Sequence, residues 1–380
     1  MDAPNTCDTS SSGGSQCSLR AALEESNATT GYDFIDFDIP GSEVHVIAPA
    51  YPLPPILDPV SVNGFSQPGA EANTKRFGSP LSTVLKIRLD GSSLIGVASA
   101  FEIQSDASIW GLIIGNFPGY AVSSTGTGAI GLRGNFIGTD GTSALPNLGG
   151  VYAGPDTESS AIGSLDPGAT GAGNLIAGNL GPAVTMEGPG SLRQNYVGTD
   201  RTGFAPMANS EPANPTGAIE ISETIDADVT LNIVSGSENG IAARRASVKV
   251  SRNRIFGNTH LGLDVGPSGI TKNDRRERDG HQNFPVVTSA ERTGVDTTVV
   301  ARLDSRASSK YVVELFKADG ETRQGLDWIG VVRIETDQTG EARFREDVRG
   351  LEVGEWVTTT ATSSGRRRET SEFSKPVRVK

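Results

Sequence analysis

Aromatic residues make up only 6% of this 380-residue chain, and there are two Cys, three Met and three His. No uninterrupted apolar run reaches the roughly 18 residues that a membrane-spanning helix needs. Met1-Asp2-Ala3-Pro4 lacks the charged and apolar regions of a secretion signal, as expected of a mature chain with an added start Met. With His45, His260 and His281 as the complete set of histidines, a His-based general base has few positions. Neither a nucleotide-binding Gly loop nor a Ser-His-Asp order nor a Cys/His metal cluster occurs. Cys7 and Cys17 lie close together with no His nearby, which predicts a small disulfide loop and an oxidising, extracellular or cell-surface setting.

What is abundant is turn chemistry. Gly contributes 47 residues and Pro 21, while long Leu/Ala/Glu/Lys-rich stretches are missing, a profile of many short strands joined by tight bends. The one helix signal is Ser18-Leu-Arg-Ala-Ala-Leu-Glu-Glu-Ser-Asn27, with Ser18 as N-cap and Leu19, Ala22 and Leu23 on one face. From there to about residue 265 a local pattern recurs, an Asn followed by apolar residues and then Gly. It starts at Asn135, Asn174, Asn195, Asn232 and Asn253, in steps of 39, 21, 37 and 21 residues. A step of 21 suits one coil of three short strands, and the longer steps hold coils with inserted loops. Two such loops are Thr139 to Asn147 and Thr199 to Asn209, both rich in turn residues. Stacked Asn amides can hydrogen-bond from coil to coil, so the repeat is read as structural. Beside it, Ile137, Ile176, Val197, Val234 and Ile255 are predicted to stack inside the cylinder.

After residue 284 the rhythm changes to longer alternating strands, such as Thr297 to Leu303, Tyr311 to Phe316 and Trp356 to Thr362. The predicted fold is all-β: an N-terminal cap over residues 1–30 (disulfide loop and helix), a right-handed parallel β-helix over 31–280, and a small immunoglobulin-like β-sandwich over 281–380. The cap helix would close the open end of the cylinder, whose core and strand edges must be covered.

Several segments together carry a resemblance: Cys17-Ser-Leu-Arg-Ala-Ala-Leu23, Asn63-Gly-Phe-Ser-Gln-Pro-Gly69, Gly134-Asn-Phe-Ile-Gly-Thr-Asp140, Gln282-Asn-Phe-Pro-Val286 and Thr370-Ser-Glu-Phe-Ser374. In these the chain resembles a group of bacterial secreted right-handed β-helix proteins that open with a capping helix and end in an immunoglobulin-like domain. The resemblance spans nearly the whole chain and implies the fold. It implies no single function, because β-helices of this kind serve as lyases, hydrolases, adhesins and stalks. One departure is Asn273-Asp-Arg-Arg-Glu-Arg-Asp-Gly280, where the group has an acidic loop and this chain adds three Arg.

The net charge of −12 conceals an asymmetry. Residues 1–240 carry 25 acids and 8 bases, residues 241–280 reverse this with 9 bases and 4 acids, and residues 281–380 balance at 16 each. The basic band, Arg244, Arg245, Lys249, Arg252 and Arg254 followed by Arg275, Arg276 and Arg278, has the forks that match carboxylates and sulfates. It is either an anionic-ligand site or an interdomain seam where Arg meets acid. Nucleic acid is not the expected partner, since the chain is acidic overall and no aromatic residues interleave with the band in sequence.

Two further constellations bear on chemistry. Asp274, Glu277 and Asp279 have the close spacing of hard oxygen ligands that could wrap Ca²⁺; the rival is a solvated loop neutralised by its own Arg residues. Asp140 and Asp200, both in Gly-Thr-Asp turns, fall on one edge of the cylinder two coils apart, which brings in glycoside hydrolysis, with His260 and His281 as additional acid–base candidates. Turn chemistry alone also explains these Asp residues. The expectation is therefore a secreted or cell-surface protein presenting a binding surface for a polysaccharide or cell-surface glycan. The alternative is a polysaccharide lyase or glycoside hydrolase acting on an acidic polysaccharide.

Overall fold

A computed structural model describes residues 17–164, 173–209, 217–224, 226–365 and 368–380. The chain is all-β with one helix, α1 (Leu19–Ala28), and no helix among the described residues is long and apolar enough to cross a membrane. Strands of three parallel sheets follow one another in rotation, and from Phe101–Ile103 onward each circuit of the chain lays one strand onto each sheet. The first sheet runs from Asp33–Asp36 to Val248–Ser251 and the second from His45–Ile47 to Arg254–Phe256, with eight strands each. The third has seven, from Phe101–Ile103 to Leu263–Val265. This is the winding of a parallel β-helix.

Its interior is the apolar stack that the repeat predicts. Ile137, Ile176, Val197, Val234 and Ile255 sit in consecutive register on the second sheet and are all fully buried. Beside them the recurring Asn side chains form a ladder. Each Nδ2 donates to the next Oδ1, from Asn135 through Asn174, Asn195 and Asn232 to Asn253, at 3.0 to 3.1 Å. Each Oδ1 also accepts the preceding coil's backbone N–H, for example Asn174 N to Asn195 Oδ1 at 3.1 Å. A bend that leaves its peptide groups unpaired is thus satisfied by side chains stacked at the coil spacing. A second ladder runs from Asn147 through Asn179 to Asn209, its first and last members at the far ends of the inserted loops.

At the N-terminal end, α1 is capped by Ser18 Oγ, which accepts from Ala21 N at 3.2 Å. The helix sends Leu19 and Leu23 into the same core as the coils. Cys17 is described and Cys7 lies outside the described residues, so the Cys7–Cys17 pairing stays an expectation.

The other end is closed by the C-terminal unit, a three-stranded antiparallel sheet facing a four-stranded one in a small β-sandwich with its own core. The segment Thr370–Ser374 is the plug. Thr370 N pairs with Val248 O and Thr370 Oγ1 accepts from Val250 N, while Phe373 packs edge-on against Phe316, and both rings join the β-helix core. Gln324 extends a hydrogen-bond ladder across the boundary, its Oε1 accepting from Asn258 Nδ2 at 3.0 Å.

Candidate binding site at the junction

The basic band spans the last two coils and the segment after them, where the cylinder meets the sandwich. Much of it is neutralised there. Arg244 Nη2 lies 2.5 Å from the buried Asp264 carboxylate, Arg245 pairs with Glu223, and Lys249 shares Asp228 with Arg193, both at 3.1 Å. The seam is held mainly by acids reaching out from the sandwich to backbone amides. Glu314 accepts from Arg252 N and Ser251 Oγ, and Glu372 from Val265 N and Thr271 N. Burial pushes the carboxyl of Glu372 up to about 7 against the pull of those amides, and it raises Glu314 as well.

Arg252 and Arg254 are placed differently. The Arg252 guanidinium lies 4.8 Å from the ring centroid of Trp328, which comes from the sandwich strand Gly325–Glu335. Arg254 lies 4.9 Å from the Phe204 ring and 5.0 Å from the Phe256 ring, with Asp327 at 3.7 Å. Phe204 is 53% exposed and Trp328 39%, so both rings are open to a ligand. Aromatic interleaving, absent from the sequence around the band, therefore exists in space. Phe204 arrives from the loop after Val197 and Trp328 from another unit, so no sequence window contains them together. An Arg fork stacked on a ring keeps its N–H edge free for a carboxylate, and the ring edge offers a platform for a sugar face.

Around the same coil, on the third-sheet side, lies a hollow of about 680 Å³ lined by Glu238, His260, Leu261, Asp264, Ile270 and Arg323, among others. His260 Nδ1 is 2.9 Å from Glu238 Oε1, so the ring is oriented by a carboxylate at the rim. Arg323 stacks at 4.8 Å on Phe284 and donates to Phe373 O.

The remaining predicted site residues do not converge. Registers place Asp140 and Asp200 in turns two coils apart, as expected, but both cap their own loops. Asp140 Oδ1 accepts from Thr142 N and Ser143 N, and Asp200 Oδ1 from Thr202 N and Ala205 N. For Asp140 burial pushes the carboxyl up, yet those amides and the Thr142 hydroxyl outweigh it and hold it below its ordinary value, the reverse of a general acid. Asp274 Oδ2 accepts from Arg278 N and Asp279 N, and Asp279 Oδ1 from His281 N. Glu277 turns inward to Arg306 Nε at 2.8 Å. No group of three metal-binding side chains forms among the described residues, so Asp274, Glu277 and Asp279 do not fit a Ca²⁺ cage. Arg276 Nε donates to Thr339 O, while Arg275 edges a small hollow against the sandwich with Arg302 and Asp304. His281 packs its ring over Gly266.

No known protein family matches the chain, and no curated protein is similar to it.

Proposed function

We propose that this is a secreted or cell-surface protein, a right-handed β-helix ending in an immunoglobulin-like sandwich, that binds an acidic glycan at the junction of the two units. The observation that carries this reading is the exposed cluster in which Arg252 stacks on Trp328 and Arg254 lies against Phe204 and Phe256. Flat rings take the apolar face of a pyranose, and guanidinium forks take a uronate carboxylate or a sulfate. The Arg residues without such a ring, Arg244 and Arg245, are paired with acids of the β-helix itself, Asp264 and Glu223. Repulsion from the acidic surface elsewhere on the first 240 residues would confine a polyanion to faces where Arg and Lys outnumber acids. Titration with an acidic oligosaccharide, a neutral one of the same length and a salt series tests the reading. Acidic chains should bind, weaken with salt and lose affinity in Arg252→Ala and Trp328→Ala. Equal affinity for the neutral chain would overturn it.

The second reading, a polysaccharide lyase or hydrolase, draws on the His260–Glu238 pair at the rim of the large hollow. With Asp140 and Asp200 committed to turns, the proton transfer would run through His260. Its test is the appearance of reducing ends or unsaturated products from acidic polysaccharides, and their loss in His260→Ala.

A further inference from the structure

The first sheet presents an outward face on which side chains align coil by coil. One outward row reads Trp110, Arg133, Gly163, Arg193, Thr230 and Ser251, paired strand to strand except that Arg133 and Gly163 lie one residue beyond the paired Leu132 and Ile162. The parallel row beside it is a floor of small side chains, Ser108, Gly131, Ala161 and Ser191, and then Asp228 and Lys249. At strand spacing, the five steps from Trp110 to Ser251 span about 24 Å. The next residue is Arg252, stacked on Trp328, so the row leads into the junction cluster.

Its chemistry is unlike its surroundings. Residues 1–240 hold only 8 Lys/Arg against 25 acids, yet two of those eight bases occupy this one row. The Arg133 guanidinium lies 5.8 Å from the Trp110 ring, and Arg133 Nε and Trp110 Nε1, both covered from solvent, have no hydrogen-bond acceptor. Arg193 is steadied by Asp228, which also holds Lys249, leaving the local sum positive. A ridge of ring and guanidinium groups beside a shallow small-residue floor is a trough for a linear chain bearing negative charges at regular intervals. A pyranose repeat in an extended polysaccharide is comparable in length to the coil spacing, so successive uronates can meet successive coils.

We infer that an acidic polysaccharide lies along this outward face, from Trp110 and Arg133 past Arg193 to the junction cluster, making the site several sugars long. The inference rests on the junction being a glycan site and adds an extended track to it. The experiment compares a uronate disaccharide with an octasaccharide of the same linkage on wild type, Trp110→Ala, Arg133→Ala and, as a distant control, Arg345→Ala on the exposed side of the sandwich. Wild type should bind the octasaccharide much more tightly than the disaccharide. Arg133→Ala should weaken octasaccharide binding by about tenfold, the size of one lost charge-assisted contact, and leave the disaccharide unchanged. Trp110→Ala should act in the same direction, and Arg345→Ala should match wild type. If wild type binds both lengths equally, or if it prefers the longer chain and the two track variants keep that preference, the track is wrong while the junction site stands. If wild type binds neither length, the junction reading itself fails. If a single-stranded oligonucleotide binds as tightly and with the same dependence on Trp110 and Arg133, the ligand class is wrong.

Discussion

Replacing Asn195 by Ala removes the middle rung of a ladder and shows how much of the cylinder rests on it. The side chain is fully buried and makes four hydrogen bonds. Its Oδ1 accepts from Asn174 N at 3.1 Å and from Asn174 Nδ2 at 3.0 Å. Its Nδ2 donates to Ile162 O at 2.9 Å and to Asn232 Oδ1 at 3.0 Å. After truncation, Asn174 Nδ2 retains Leu132 O, and Asn232 Oδ1 retains the Asn195 backbone N–H. Asn174 N and Ile162 O lose these partners in a place water does not reach. At about 1 to 3 kcal/mol for each buried orphan, and about 1 kcal/mol for each of the other two lost bonds, the cost is about 4 to 8 kcal/mol. The Cβ that remains fills little of the gap, so relaxation offsets only part of it. Urea unfolding followed by far-ultraviolet circular dichroism measures the difference through the midpoint shift at unchanged slope. Asn253→Ala, at the end of this ladder, should cost about 1 kcal/mol less, because its Oδ1 accepts the same two bonds but its Nδ2 donates to Val229 O alone. A loss below about 1 kcal/mol in Asn195→Ala would refute the claim that the ladder, rather than apolar stacking alone, fixes the coils.

Three other outcomes follow from the same structure. Phe373→Ala empties the ring that the sandwich inserts beside Phe316 at the end of the β-helix core, so it should cost about 3 to 5 kcal/mol and expose the junction to limited proteolysis; an unchanged cleavage pattern and midpoint would contradict the plug. Glu277 and Glu372 are raised to about 7 from 4.5, chiefly by burial, so between those values the folded chain holds protons that the unfolded chain has released. Stability should therefore fall as pH rises from about 4.5 to 7, by at most about 3 kcal/mol per group, and Glu372→Gln should flatten part of that slope; a slope of opposite sign would sink the assignment. The non-reduced protein should weigh two hydrogens less than its reduced form if Cys7 and Cys17 pair, and titration of two reactive thiols would exclude the bond.

The cylinder was legible in the sequence because its controlling signal is local and repeated. From Asn135 on, each coil places one Asn at the same bend and one apolar residue beside it, so Asn135 through Asn253 and Ile137 through Ile255 recur at spacings that loops lengthen but do not scramble. The second ladder was hidden because its Asn residues follow the first by unequal offsets, five residues from Asn174 to Asn179 but twelve from Asn135 to Asn147. Long-range pairings left less trace. Thr370–Ser374 reads as an ordinary late segment, and its plug role comes from contacts with Val248 and Val250, 120 residues away in the case of Thr370 and Val250. The basic band was visible as charge, but the sequence could not divide it. Arg244 is neutralised by Asp264 from the next strand of its own sheet, whereas Arg252 meets Trp328 only because the sandwich docks on the last coil. The Asp residues at 140 and 200 were located correctly in turns, and their hydrogen bonds favour the turn reading over catalysis.

The most direct test of the account is the affinity of the intact chain for an acidic oligosaccharide by isothermal titration, in wild type and in the Arg252→Ala/Trp328→Ala double variant, at low and physiological salt. The two side chains are stacked at the surface, and neither side chain carries a hydrogen bond that holds the seam, so the fold should survive their loss. The account predicts salt-sensitive binding in wild type that falls at least tenfold in the double variant while its melting temperature stays close to wild type. Binding that is undiminished in the double variant, or that is insensitive to salt, would contradict it.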